Sequence, residues 1–155
     1  MDMHNYTIQL EWTGNKGSGT LDYRAYSRDH ELGSAQKLMT IPGTSDPKFR
    51  GDAARYNPEE LFIASLSACH MLWYLHLCAD HGVVVLDYTD EAEGIMQMNE
   101  DGSGQFQKII LKPRVQVSKD SMMVQAQELH ELAHEKCFIS RSVRCELVVL
   151  GEVKT

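Results

Sequence analysis

No Cys-x-x-Cys occurs among the four cysteines of this chain, which stand at positions 69, 78, 137 and 145. A zinc ribbon or a thioredoxin-type redox loop is therefore not indicated. Basic clusters are missing too: no run of Lys and Arg exceeds a dipeptide, and 15 basic against 22 acidic residues leave a net charge of −7. Such a field repels phosphate backbones and argues against a nucleic-acid partner. The opening Met-Asp-Met-His-Asn-Tyr holds neither a basic segment nor an apolar run, so no secretory signal is expected. Four thiols without such a signal point to a reducing compartment, the cytoplasm by default, where cysteines are more often reactive than structural. Repeats and low-complexity segments are absent, and 155 residues predict a single domain over 1–155.

The longest absence is internal. From Leu61 to Ala79 there is no Asp, Glu, Lys or Arg over 19 residues. As a helix that stretch would rise about 28 Å, close to the hydrocarbon thickness of a bilayer. Ser65, Ser67, His70 and His76 interrupt it, and strand-like patterns lie on both sides. The expectation is a central helix buried on nearly every face, with no membrane partner.

What is present alternates or caps. Tyr6 to Trp12 alternates, Thr13 to Gly19 turns, and Thr20 to Tyr26 alternates again, which predicts a hairpin. A third strand is expected from Ala35 to Ile41, followed by a loop from Pro42 to Tyr56 holding Lys48, Arg50 and Arg55. Asn57-Pro58-x-Glu60 is a helix start: Asn57 caps, Pro58 has no donor to waste, and Glu60 closes the box. That helix should reach about Asp80, with Gly82 as its stop. Strands follow at Val83–Tyr88 and Glu91–Met98, then Phe106–Val117, whose proline suggests an edge. A second helix over Ser121–Lys136 and a last strand over Val143–Val149 complete the order β-β-β-α-β-β-β-α-β. The class is α+β, antiparallel hairpins around a long buried helix.

Chemistry centres on Cys69 and Cys137. Cys78 ends the apolar helix and Cys145 alternates within the last strand, so both read as core residues. Cys69 sits among Ala64, Ser65, Ser67 and Ala68, small residues that let another element approach, and Cys137 follows the last turn of the second helix. On the helix His70 points roughly 100° away from Cys69, and His76 is about 10 Å further along the axis, so neither makes a Cys–His pair with it. Cations from the preceding loop, Lys48, Arg50 or Arg55, are the remaining means of holding a thiolate. Glu59, about 15 Å before Cys69 along the axis, can steer an arginine but not touch the sulfur. His130-Glu131-Leu132-Ala133-His134 is also a literal H-E-x-x-H, the helical zinc pair of metallohydrolases, though no third ligand follows at a suitable spacing.

Asn57-Pro58-Glu59-Glu60-Leu61-Phe62, then Ser67-Ala68-Cys69, Gly82 with an apolar strand, and Cys137-Phe138-Ile139-Ser140 together resemble the OsmC/Ohr family, the osmotically inducible protein C and organic hydroperoxide resistance proteins. The family pattern is an N-P-E-x-L…A-C block with a later C-P-x-S. The resemblance implies a thiol-dependent peroxidase acting on organic hydroperoxides, an intertwined homodimer with sites at the subunit interface, and a dithiol reductant. It makes Cys69 the peroxidatic thiol, Cys137 the resolving one and Glu59 the carboxylate that positions an arginine. No cofactor or metal is implied. Here Phe138 replaces the proline and His70 stands where an aromatic is usual. The arginine falls on Arg50, with Arg28 and Arg55 behind it. Two alternatives are a non-enzymatic protein that binds a small ligand on the same fold, and a zinc hydrolase using His130 and His134.

Overall fold

The computed structural model describes residues 2–155 as two compact units, one up to Leu61 and one from Phe62 to Thr155. In the first, strands β1 (Gln9–Trp12), β2 (His30–Gly33) and β3 (Ile41–Gly43) form an antiparallel sheet in that order. Leu10 faces Leu32, and His30 faces Gly43. A Cβ on Gly43 would overlap the His30 ring, so that pairing requires glycine.

The expected hairpin between Tyr6–Trp12 and Thr20–Tyr26 is not formed. Side chains within and on either side of the second segment capture the backbone first. Asn15 Oδ1 accepts the amides of Gly17 and Gly19, and Asp22 Oδ1 accepts that of Arg24. Arg28 donates to the carbonyls of Tyr23 and Tyr26 and lies over both rings. Local bonds of this kind compete with a strand ladder, and β1 pairs with His30–Gly33 instead. The third strand likewise starts at Ile41, not Ala35.

The loop after β3 is ordered. Asp46 caps a short 3-10 turn, Pro47–Phe49, by accepting the Lys48 amide at 2.7 Å. Tyr56 bridges back to Gly43 in parallel. Arg55 ties the loop down, donating to the carbonyls of Gly43 and His30 at 3.0 Å each and pairing with Glu31 at 2.5 Å. The Thr40 hydroxyl, followed by Arg55, holds the Glu31 carboxyl below its ordinary range.

Helix α1 (Pro58–Asp80) begins as the sequence predicts. Asn57 Oδ1 accepts the Glu60 amide at 2.8 Å while Glu60 accepts the Asn57 amide at 3.0 Å, a reciprocal box. It ends with Gly82 at φ 72° and Val83 N–H bonded to Cys78 O at 2.8 Å, which satisfies the last carbonyls.

The remaining elements are β4 (Val85–Asp90), β5 (Glu93–Met98), β6 (Gly104–Leu111), β7 (Pro113–Val117), α2 (Met123–Lys136), β8 (Glu146–Val149) and β9 (Glu152–Lys154). They form two sheets, β4-β7-β9 and β5-β6-β8. Two corrections follow. Phe106–Val117 is two strands, and Pro113 opens the second, where its missing N–H breaks no ladder; β7 is central, not an edge. The strand expected over Val143–Val149 begins at Glu146, a further strand that was not expected follows it, and both pair in parallel, β8 with β6 and β9 with β7. The α+β class stands, with mixed sheets in place of hairpins alone.

Helix α1 buries one stripe: Leu66, His70, Tyr74, Leu77 and Cys78. Its first half packs Leu66 on Ile109 and Leu111 of β6. Its second half packs Tyr74, Leu77 and Cys78 on Val115 and Val117 of β7 and on Ala126, Leu129 and Ala133 of α2. The expectation of burial on nearly every face is not met within one chain. Leu72 is 63% exposed, and Ala64, Ser65 and Ala68 are exposed as well. By length and composition α1 is long and apolar enough to cross a membrane. Its buried stripe packs on β6, β7 and α2.

Candidate functional site

Docking of α1 on α2 brings Cys69, near the middle of the first helix, close enough to interact with Cys137, the C-cap of the second. Both are free thiols; Cys69 is half-buried and Cys137 is 1% exposed. Their separation of 68 residues is closed by helix packing and by nothing local.

Cys137 also caps the turn that follows it. The Ser140 N–H donates to its sulfur at 3.3 Å, the Ile139 amide points there too, and Arg141 N–H takes up the Cys137 carbonyl at 3.1 Å. Burial pushes the Cys137 thiol up to about 11, and the hydrogen bond with Cys69 adds to this by keeping the proton on Cys137. The two amide donors pull the other way. The arrangement is asymmetric: Cys137 is protonated at neutral pH, yet amides already aim at its sulfur to stabilise a thiolate once the proton leaves.

Apolar surface flanks the pair. Trp73 lies one helical turn beyond Cys69 and meets the Phe138 ring edge to face, centroids 5.5 Å apart. Phe138 itself is 66% exposed.

Three histidines that the sequence reading set aside surround this region. His70 Nε2 and His130 Nδ1 are 3.1 Å apart, with rings 7° from parallel and centroids 5.4 Å apart, the geometry of an in-plane N–H···N bond. Tyr74 stacks on His130 at 4.0 Å and donates its hydroxyl to Ala126 O at 3.0 Å. Burial lowers both imidazoles to about 4, so the pair is neutral. Among the described residues, His70 Nδ1 and His130 Nε2 have no hydrogen-bond partner. His134, one turn after His130, meets Ser140 instead, with Nδ1 at 3.4 Å from the hydroxyl oxygen. The H-E-x-x-H string is thus divided between two different contacts. Among the described residues, it gathers no third His, Cys, Asp or Glu into a group that would hold a metal. Only the spacing of His134 and Ser140, three residues either side of Cys137, hinted at this cluster in the sequence.

The other expected site residues lie in the first unit. Arg50 follows the 3-10 turn in the left-handed region, φ 67°, and is exposed. Among the described residues its guanidinium enters no ion pair, whereas Arg55 is held by Glu31 and Arg28 by Tyr23 and Tyr26. Glu59 is half-buried on the first turn of α1, and no ion pair joins it to Arg50. Cys78 is core, with burial raising its thiol, and Cys145 packs at the edge of the Leu66 cluster.

Fold and thiols together define a class: an α+β domain carrying two paired cysteines between its helices. Comparison with known proteins makes that class specific. Residues 51–150 match the family described as OsmC-like protein, and the chain belongs to that family. An OsmC-like protein of unknown function from Vibrio cholerae is 33% identical, with a TM-score of 0.82, and the match covers 98% of this chain and all of that one. An organic hydroperoxide resistance protein from Elizabethkingia anophelis, solved with thiocyanate bound, shares the fold at 22% identity and TM-score 0.67, covering 98% of each chain. An OsmC-like protein from Mycoplasma pneumoniae does so at 14% and 0.74, over the full length of both. Among curated proteins, none matches.

Proposed function

We propose that this chain is a thiol-dependent peroxidase that reduces organic hydroperoxides, with Cys69 as the peroxidatic and Cys137 as the resolving thiol. The observation that supports this reading is the meeting of the two thiols, of which burial holds Cys137 in its protonated form. A group that holds its proton to about 11 is a poor first nucleophile at neutral pH, so the attack falls to the more accessible Cys69. Its thiolate attacks one oxygen of the O–O bond, the alkoxide leaves and takes a proton to become the alcohol, and Cys69 becomes a sulfenic acid. The Cys137 sulfur then displaces the hydroxyl as water and forms the disulfide, which a dithiol reduces. Trp73 and Phe138 give the organic part of the substrate an apolar wall.

Among the described residues Arg50 enters no ion pair, and in this reading it is the arginine on which the thiolate chemistry depends, with Glu59 as its carboxylate. The working unit is a homodimer, in which a second copy covers the exposed apolar face of α1 around Leu72. The test is consumption of an alkyl hydroperoxide with a dithiol as reductant. Wild type should turn over, Cys69→Ser should be inactive, and Cys137→Ser should complete one turnover and then accumulate over-oxidised Cys69. Unchanged turnover by Cys69→Ser would reject the reading.

A further inference from the structure

Much of the contact between α1 and α2 is apolar: Leu77 and Cys78 of α1 pack with Ala126, Leu129 and Ala133 of α2. Packing of that kind carries no direction and tolerates small slides of one helix along the other. A disulfide does not. It needs Cα atoms roughly 4.4–6.8 Å apart, so a slide of two helical residues, about 3 Å, takes two thiols out of range. Cys137 stands at the very end of α2, where the backbone has already left the helix at ψ 115°. Its place beside Cys69 therefore depends on how α2 as a whole is set against α1. Two side-chain hydrogen bonds give that setting a direction. Tyr74 Oη donates to Ala126 O at 3.0 Å, and His70 Nε2 and His130 Nδ1 meet at 3.1 Å. With the thiols they form an antiparallel series, in which Tyr74, His70 and Cys69 on α1 meet Ala126, His130 and Cys137 on α2 in that order. We propose that His70 and His130 are positioning residues of the thiol pair: their bond fixes the register of α1 on α2 so that Cys69 and Cys137 meet.

The pair is held as a rigid piece. Both rings are buried, and Tyr74 stacks on His130 with centroids 4.0 Å apart. Gly151, between β8 and β9, lies so close to the same ring that a Cβ there would come within 2.5 Å of it. His70 directly follows Cys69, and His130 precedes Cys137 by two helical turns on one face of α2. Stability alone does not account for two imidazoles here. Each leaves one buried nitrogen without a hydrogen-bond partner among the described residues, whereas apolar side chains of similar volume would leave none. What the imidazoles add is a fixed distance and angle between the helices.

This inference rests on the thiol pairing of the peroxidase reading, but its test uses no peroxide. Wild type and variants are equilibrated at one fixed pH with glutathione and glutathione disulfide. Cys69 and Cys137 each give up a proton and an electron, and one glutathione disulfide becomes two glutathiones. Mass spectrometry of the Cys69 and Cys137 peptides after alkylation gives the equilibrium constant, which measures the effective concentration of one thiol at the other. His70→Leu/His130→Leu removes both partners of the bond, and the constant should fall about tenfold or more. His70→Gln, whose amide nitrogen reaches the place of Nε2, should hold it near the wild-type value. Asn57→Ala weakens the start of the same helix and should lower the urea midpoint while leaving the constant unchanged, the pattern of a residue that only stabilises the fold. Gly151→Ala presses on the His130 ring and should lower the constant. A wild-type constant in the folded double variant, or in Gly151→Ala where the double variant does not fold, would overturn the proposal. So would a fall in His70→Gln or Asn57→Ala as deep as that in the double variant. Hydroperoxide consumption is scored separately: a wild type that consumes none refutes the peroxidase reading, and the glutathione equilibrium still decides the role of the two histidines.

Discussion

Acid should destabilise this protein well above the pH at which its carboxylates protonate, and the buried imidazole pair is the reason. His70 is 1% and His130 is 4% exposed, and burial holds each at about 4 against an ordinary histidine value of 6.5. The unfolded chain takes up a proton at each site as pH falls through about 6.5, whereas the folded chain does so only near 4. Stability is therefore full above that window and lost on descending through it. At pH 5 the linkage amounts to about 2 kcal/mol for each imidazole, or about 4 kcal/mol for both relative to pH 8. That is a large share of a typical folding free energy of about 5–15 kcal/mol. Glu31 and Asp101, whose carboxyls sit below their ordinary range, lose their contribution only at lower pH and do not blur the window. Urea unfolding followed by tryptophan emission, at fixed protein concentration, should show the midpoint falling between pH 8 and 5. The double variant His70→Leu/His130→Leu removes both partners of the bond at once and should flatten that dependence. A wild-type midpoint that does not move, or a double variant that falls as steeply, would refute the reasoning.

Further expectations concern the cap, the loop and the exposed helix face. Asn57→Ala should lower stability by about 1 kcal/mol in the same assay, because it removes the acceptor for the Glu60 amide. Arg55→Ala should cost about 1–2 kcal/mol through its lost carbonyl and Glu31 contacts. Arg50→Ala should change stability by under about 0.5 kcal/mol yet slow peroxide consumption, with Arg50→Lys recovering part of the rate. Unaltered kinetics in Arg50→Ala would remove the arginine from the mechanism. Leu72→Glu places a charge on the exposed face of α1 and should shift sedimentation towards a single 17.6 kDa chain.

How much of this was legible in the sequence depended on how local each feature is. The start and stop of α1 were, because Asn57, Glu60 and Gly82 act within a turn or two of themselves. The two thiols were legible as a motif pair, although only helix docking makes them touch. The strand at Thr20–Tyr26 was misread because alternation alone does not reveal that Asp22 and Arg28 bind nearby backbone. The parallel pairings of β8 and β9 join segments far apart, and no turn signal announces them. His70 was dismissed by its angle from Cys69, correctly for a Cys–His pair. Its partner, 60 residues away on α2, is set by how two helices pack.

The central claim is that Cys69 and Cys137 form a redox pair. The most direct measurement is a peptide map of the protein after one equivalent of an alkyl hydroperoxide, with free thiols blocked before digestion. The account predicts a single Cys69–Cys137 cross-link, with Cys78 and Cys145 still alkylated as thiols. Four unmodified thiols after many equivalents, or a cross-link through Cys78 or Cys145, would contradict it.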